Sequence, residues 1–243
     1  MAAVALTLAM PLSAIATKFE QLGDSICPRN AKLSFLDFEA EYSDKVHPEE
    51  IAWIESSVLN RRKEFLTGRA CARTGLKKLN LSARECEAPL IPDAAGLPQW
   101  PQGFVGSITH SKGLCAAIVS RESDLAMIAI DLEKTNRLSD SAAKRVMHPL
   151  EASTQSGCDA QKYASILFSL KEAFYKAQFP HWKIQASFQD LALSLNFEEQ
   201  SAKILELSNA FPDDFRAIKG SIRFRFVVIE AYVCALCWLE AEL

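Results

Sequence analysis

No Gly-x4-Gly-Lys-Ser/Thr loop and no Gly-x-Gly-x-x-Gly occurs in this chain, so the two common backbone cradles for nucleotide phosphates are excluded. A Gly-x-Ser-x-Gly elbow and a His-Glu-x-x-His pair are also missing, which removes local support for triad hydrolysis and zinc proteolysis. Charge of one sign is scarce too: 27 Lys and Arg stand against 30 Asp and Glu, a formal net charge of −3. No global basic field draws in nucleic acid, and any anion must be held by a local cluster. No apolar run is long enough to cross a bilayer, so no membrane partner is expected. The apolar stretch from Val4 to Ala16 has no Lys or Arg before Lys18 and is interrupted by Pro11. It reads as an N-terminal strand or loosely packed arm rather than a secretory signal. The seven cysteines are odd in number and lack framework spacing, which favours a reducing, cytoplasmic setting. Cys234-Ala-Leu-Cys237 has the C-x-x-C form but lies in a strand-like apolar run. Residues three apart on a strand face opposite sides, so the pair reads as two buried thiols.

What is present is organised in two similar stretches. The 243 residues suffice for one large domain or two small ones. Leu33 to Phe38 is a strand candidate, and a long helix is expected from about Pro48 to Leu79, with Pro48, Glu49 and Glu50 as its start and Gly68 weakening its middle. Residues 88–103 form a Pro- and Gly-rich loop. Phe104 to Ser120 holds two strand-forming runs around a Ser-Lys-Gly turn. Leu125 to Ile130 is a buried strand, 134–159 is variable, and Ala160 to Gln178 has apolar residues at helical spacing. Strands fill 190 to 240. Helix followed by strands occurs twice, which predicts an α+β fold of two halves with antiparallel sheets. The boundary is placed in the polar segment Ser120 to Asp124, giving halves 1–122 and 123–243. No internal sequence repeat is evident.

Two short stretches carry the chemistry. Ile130-Asp131-Leu132-Glu133 sets two carboxylates two residues apart at a strand end, where both project to one face. Glu172 and Lys176 stand one turn apart on the second helix. Three carboxylates and an ammonium suit a hard divalent cation such as Mg²⁺, which completes its six oxygens with water and substrate phosphates. Each motif alone reads equally as surface structure, since an i,i+4 pair contributes only ~0.2–0.5 kcal/mol. Arg61, Arg62, Lys63, Arg69 and Arg73 lie along the first helix, with Arg62, Arg69 and Arg73 near one face. Guanidinium groups grip phosphate oxygens in a bidentate manner, although a solvated face explains the spacing as well. Thr109 and His110 beside a glycine-framed turn are candidate phosphate donors.

Five blocks in order resemble one family. They are Arg61-Arg-Lys-Glu-Phe-Leu-Thr-Gly-Arg69-Ala-Cys-Ala-Arg73, Pro98-Gln-Trp-Pro-Gln-Gly-Phe-Val-Gly106-Ser-Ile-Thr-His110, Ile130-Asp-Leu-Glu133, Phe168-Ser-Leu-Lys-Glu172-Ala-Phe-Tyr-Lys176, and Phe188-Gln-Asp190. This pattern, over about residues 35–235, resembles the 4′-phosphopantetheinyl transferases of the siderophore- and peptide-synthase-activating branch. The resemblance implies two pseudo-symmetric α+β halves, each a small antiparallel sheet on a long helix. It implies transfer of 4′-phosphopantetheine from coenzyme A to a serine of an apo acyl or peptidyl carrier protein, with release of adenosine 3′,5′-bisphosphate. Asp131, Glu133 and Glu172 would hold Mg²⁺, Glu172 would also take the serine proton, and Lys176 would clamp the phosphate and support the leaving group. Arg61, Arg69, Thr109 and His110 match positions that grip the coenzyme A phosphates. A single chain with both halves would act as a monomer. One departure stands out: the turn Asp93-Ala-Ala95-Gly96 lacks the basic residue this branch often has, and Lys112 or Lys77 would have to replace it. Alternatives are a silent coenzyme A- or carrier-binding protein and a Mg²⁺-dependent phosphohydrolase.

Overall fold

The computed structural model describes residues 10–39, 46–80, 88–152 and 159–241. Helix α1 (Leu12–Ile26) starts directly after Pro11, whose missing N–H costs nothing ahead of a first turn. Ile15, Ala16, Phe19 and Ile26 recur at helical spacing and are buried. The expected strand or loose arm is therefore corrected from Leu12 onward: the apolar residues repeat with the helical period and dock. The part of that stretch from Val4 to residue 9 lies outside the described residues. Strand β1 (Ala31–Asp37) follows.

The single helix expected over 48–79 is two, α2 (Pro48–Ile54) and α3 (Leu59–Lys78). Val58 is extended, at φ −63° and ψ 152°, and Ser56 and Ser57 precede it. Serines compete for backbone hydrogen bonds and a β-branched residue is stiff, so the chain turns here. Gly68 in the middle of α3 has a packing reason: a Cβ there would lie 2.8 Å from Ile108 Cγ2. The helix lies on its sheet at glycine distance, which offsets the lost helix propensity.

Strands β2 (Phe104–Ser111) and β3 (Leu114–Arg121) flank the expected turn, with Lys112 at φ +44° and Gly113 at +95°. They join β1 in an antiparallel sheet of order β1-β3-β2. Strand β4 (Leu125–Lys134) opens the second half. Helices α4 (Asp140–Val146), α5 (Pro149–Ala152) and α6 (Ala160–Trp182) follow. Asp159 caps α6 by accepting from Lys162 N at 2.9 Å. Then come β5 (Leu191–Asn196), β6 (Ser201–Leu207), α7 (Asp213–Ala217), β7 (Arg223–Ile229) and β8 (Tyr232–Glu240). The second sheet is antiparallel, in the order β4-β8-β7-β6-β5. The α+β reading with antiparallel sheets is what the structure has.

The layers run α3, small sheet, large sheet, α6. Cys71, Ala72 and Leu76 of α3 pack on Cys115, Ala117 and Val119 of β3. Between the sheets, Leu33, Phe35, Leu114, Ala116 and Ile118 meet Ile128, Ile130, Leu132, Cys234 and Leu236, with α1 closing one side. On the outer face of the large sheet, Leu167, Leu170 and Phe174 of α6 meet Met127, Ala129, Ala235 and Cys237. Cys234 and Cys237 thus belong to opposite faces of β8 and are free, as the two-thiol reading expected. Trp182 packs edge-on against Phe215 at 4.9 Å, a core role.

The two halves share a device invisible to a scan for long repeats. His47-Pro-Glu-Glu50 and His148-Pro-Leu-Glu151 are the same short motif. In the first, His47 N donates to Glu50 Oε2 at 3.0 Å and Glu49 N to His47 Nδ1 at 3.2 Å. In the second, His148 N donates to Glu151 Oε2 at 2.7 Å and Leu150 N to His148 Nδ1 at 3.2 Å. Glu50 also accepts from Leu90 N at 2.7 Å, and Glu151 from Leu193 N at 2.8 Å. A cation from the long helix completes each: Arg73 on Glu50, Lys171 on Glu151. All four charged side chains are buried, where a charge without its partner would be severely penalised. The structure thus carries a pseudo-repeat that sequence reading did not find.

Candidate active site

The site lies where β2 of the first half runs beside β4 of the second. Along β4, even-numbered Ile128, Ile130 and Leu132 enter the core between the sheets, while Asp131 and Glu133 follow Met127 and Ala129 on the α6 side. Both carboxylates are buried, at 6% and 2% exposure. Strand β2 meets them with hydroxyls at every second residue. Ser107 Oγ donates to Ile130 O at 3.5 Å, and Thr109 Oγ1 donates to Asp131 Oδ1 at 3.3 Å while accepting from Leu132 N. Ser111 Oγ donates to Glu133 Oε1 at 2.8 Å. Among the described residues no backbone ladder joins the two sheets; beside their apolar contact, this line of hydroxyls bonds them at the seam.

Helix α6 supplies the other wall. Ser169 and Glu172 are three apart and Glu172 and Lys176 four apart, so one helix face presents all three. Ser169 Oγ donates to Asp131 Oδ2 at 2.8 Å. Lys176 Nζ donates to Asp131 Oδ1 at 2.5 Å and to Thr109 Oγ1 at 3.3 Å. The Glu172 carboxyl is held above the ordinary carboxylate range, first by burial, then by the Asp131 charge and to a lesser degree by Glu133, with Lys176 and Arg137 opposing. A carboxyl with a raised pKa beside an ammonium is an arrangement that suits a proton acceptor.

The phosphate-gripping candidates fall into two groups. Arg61 Nη1 lies 3.5 Å from Glu64 Oε2, and His110 Nδ1 lies 3.8 Å from Glu64 Oε1, so Arg61 and His110 flank one carboxylate. Burial lowers the His110 pKa, with Glu64 and Asp131 raising it and Arg61 and Lys176 lowering it. Arg69 is deeper: its guanidinium lies 4.0 Å over the Phe65 ring, and Nε donates to Leu90 O at 2.8 Å. Burial pushes it down to about 10. The common basic face expected for Arg62, Arg69 and Arg73 is not what forms. Arg73 is committed to Glu50, with Nη1 and Nη2 on its two oxygens at 2.7 and 2.5 Å, and Nη2 also donates to Ala88 O.

Four polar partners at the site escaped the sequence reading: Ser169, Ser111, Glu64 and Arg137. A signal existed for each. Ser107, Thr109 and Ser111 alternate with the strand period, Ser169 precedes Glu172 by one turn, Glu64 follows Arg61 by one turn, and Arg137 lies four residues beyond Glu133. Arg137 donates to Glu133 Oε2, and Lys134 N to Glu133 Oε1 at 2.7 Å. Lys171, in contrast, faces inward, with Nζ on Val146 O, Glu151 Oε2 and Phe188 O.

A cleft of about 550 Å³ is lined by Lys176, Ser107, Ile108, Trp100, His181 and Glu122, among others. The turn lacking a basic residue borders it: Asp93 Oδ1 accepts from Ala95 N and Leu97 N, and Gly96 takes φ +80°. Glu172 borders a second hollow of about 440 Å³ with Phe174, Tyr175 and Phe188.

Among the described residues, no three His, Cys, Asp or Glu side chains are gathered into a ready metal cage. The donor chemistry nonetheless suits a hard divalent cation. Asp131, Glu133 and Glu172 are all carboxylates, and Asp131 and Glu133 are close enough to raise the Glu172 pKa. A cation would relieve that crowding.

Comparison with known proteins agrees with this geometry. Residues 49–120 match the family model of the 4′-phosphopantetheinyl transferase N-terminal domain, and residues 127–237 that of the 4′-phosphopantetheinyl transferase superfamily. The chain is 34% identical over 167 residues to the 4′-phosphopantetheinyl transferase Svp of Streptomyces mobaraensis, covering 67% of this chain and 66% of that one. It is 36% identical over 156 residues to PptT of Mycobacterium tuberculosis, covering 63% and 66%, and 33% identical over 159 residues to Npt of Nocardia iowensis, covering 65% and 70%. It thus spans about two thirds of the length of these relatives. The first match contains the hydroxyls of β2 and the second the carboxylates of β4, and the chain belongs to the 4′-phosphopantetheinyl transferase superfamily.

Proposed function

We propose that the protein transfers the 4′-phosphopantetheine group of coenzyme A to a serine hydroxyl of an apo carrier protein. The observation that carries this is the Glu172–Lys176 face of α6: a carboxyl with a raised pKa and an ammonium one turn apart, with Lys176 bonded to Asp131 of β4 beside the seam. The serine oxygen attacks the phosphorus that bears the pantetheine ester, and the bond from that phosphorus to the bridging oxygen breaks. Adenosine 3′,5′-bisphosphate leaves with the bridging oxygen. Glu172 accepts the serine proton. Lys176 exchanges Asp131 for a phosphate oxygen and stabilises the charge that grows on the leaving group. Arg61, Arg69, His110 and Thr109 hold the remaining phosphates, with Arg61 and His110 at the rim and Arg69 deeper. Asp131, Glu133 and Glu172 would hold Mg²⁺, which neutralises pyrophosphate charge when bound.

The work divides between halves 1–122 and 123–243: the first grips coenzyme A and the second carries the carboxylates and the base. Because one chain holds both, a monomer suffices. A cytoplasmic setting agrees with the free thiols of Cys27, Cys71, Cys115, Cys234 and Cys237; no described helix is long and apolar enough to cross a membrane. Incubation with coenzyme A, Mg²⁺ and an apo carrier protein, followed by mass spectrometry of the carrier, tests the proposal. The carrier gains the mass of one phosphopantetheine group if the reading holds. An unchanged carrier mass overturns it; free bisphosphate without carrier modification identifies a phosphohydrolase.

A further inference from the structure

Each strand carboxylate of the site already accepts from three of the protein's own donors. Asp131 accepts from Thr109, Ser169 and Lys176, and Glu133 from Ser111, the Lys134 amide and Arg137. The two cations differ in what they can do next. Lys176 faces the cleft, so a polyphosphate entering it offers Lys176 a new anion and releases Asp131. Arg137 lies on the turn after β4, its N–H bonded to Lys134 O, and its side chain is 54% exposed while that of Glu133 is 3% exposed. Its guanidinium reaches back four residues onto Glu133 and its charge also acts on Glu172. It therefore faces two of the three carboxylates from the solvent side.

We propose that Arg137 is a built-in counter-ion that occupies the carboxylate site against a divalent cation, so that metal and coenzyme A bind as a coupled pair. The proposal rests on the transferase reading and concerns the order in which its site fills. Without coenzyme A, a metal must displace Arg137 from Glu133 and Lys176 from Asp131 with no new partner for either. With coenzyme A, the pyrophosphate takes up Lys176, adds oxygen ligands to the metal and gives the freed Arg137 an anion nearby. The coupling is reciprocal: whatever factor coenzyme A adds to metal affinity, metal adds to coenzyme A affinity. A coupled pair keeps the site from holding a metal that blocks its carboxylates between turnovers.

Mn²⁺ binding read by electron paramagnetic resonance, with and without coenzyme A, tests this with no transfer step. Coenzyme A is expected to tighten Mn²⁺ binding to the wild type by about tenfold or more, within the usual range of coupling between sites. In Arg137→Gln, Mn²⁺ binding without coenzyme A tightens about two- to fivefold and the coupling factor shrinks, as for the loss of a competing ion pair. Lys134→Gln is the control: it removes a positive charge beside Glu133, but from a side chain lying 5.3 Å over the Tyr232 ring. Equal tightening in Lys134→Gln shows a general field effect and overturns the proposal. So does unchanged Mn²⁺ affinity in Arg137→Gln, or wild-type affinity indifferent to coenzyme A. If the carrier mass assay succeeds while these fail, the counter-ion idea is wrong and the transferase reading stands. If coenzyme A itself does not bind, both fall.

Discussion

The two halves meet the same packing problem with the same His, Pro and Glu and different cations. In the first, the His-Pro-x-Glu clasp is closed by Arg73, whose planar fork covers both Glu50 oxygens and adds Ala88 O. In the second it is closed by Lys171, whose compact ammonium reaches three separate acceptors on three segments. The difference follows geometry: a guanidinium matches one flat carboxylate, and an ammonium suits acceptors spread around a point. It also marks a division of labour. Lys171 immediately precedes Glu172, so the second clasp fixes the turn of α6 that bears the proposed base. The first clasp fixes the α3 and 88–90 segments beneath Arg69. One buried device anchors α6, with Glu172 and Lys176, in one half and α3, with Arg61 and Arg69, in the other.

The sharpest way to break this comparison is Glu172→Gln. Transfer is expected to fall by about 10²–10⁴-fold while thermal unfolding is little changed. Arg61→Ala, in the other half, should raise the KM for coenzyme A and leave kcat nearly intact, since Arg61 grips substrate remote from the reacting phosphorus. Steady-state kinetics on both variants decides, and equal loss of kcat in the two ends the division of labour.

Opening either clasp comes next. Glu50→Gln and Glu151→Gln each leave a buried cation short of its partner, and each should cost about 3–5 kcal/mol in denaturant unfolding. Losses near the ~0–1 kcal/mol of exposed pairs would show that the clasps are ornamental. Exchanging the cations sharpens the comparison. Arg73→Lys and Lys171→Arg should each cost about 1–3 kcal/mol, because neither shape meets the other's acceptors; a neutral exchange removes the geometric argument.

The pH dependence separates the halves by sign. Glu172 must be ionised to accept a proton, and burial with the Asp131 charge raises its pKa. The acid limb of kcat/KM therefore lies above the ordinary carboxylate range, and transfer is lost as pH falls through it. His110 has its pKa lowered by burial and binds an anion best when protonated, so coenzyme A affinity should strengthen as pH falls. Calorimetry in buffers of different ionisation heat checks this, and His110→Ala should flatten that trend. The smallest effect expected is Lys63→Ala, which removes an exposed pair with Glu39 and should shift stability by only ~0–1 kcal/mol.

Much of this was legible in sequence. The strand through Asp131 and the helix through Lys176 follow from their periods, and the carboxylate and lysine positions from the ordered blocks. The residues that failed to show themselves did so for physical reasons. Arg73 and Lys171 look like surface charges, because helical spacing does not reveal that Glu50 or Glu151 waits elsewhere in the chain. The pseudo-repeat was hidden because only His, Pro and Glu recur, and because β5 and β6 lengthen the second half. The break between α2 and α3 was written in Ser56, Ser57 and Val58 but masked by a plausible apolar stripe. Helix α1 was obscured by Pro11, which begins the helix rather than interrupting it.

The hydroxyls of Ser107, Thr109 and Ser111 have one more implication. They are hydrogen-bonding fasteners between two sheets that share no backbone ladder among the described residues, and two of them hold Asp131 and Glu133. Any separation of the halves therefore strips Asp131 and Glu133 of partners at the same moment. A chain severed near residue 122 would place the carboxylates on one fragment and their fasteners on the other. Activity regained on mixing such fragments would report their reassembly, which makes this seam a natural place to build a split enzyme.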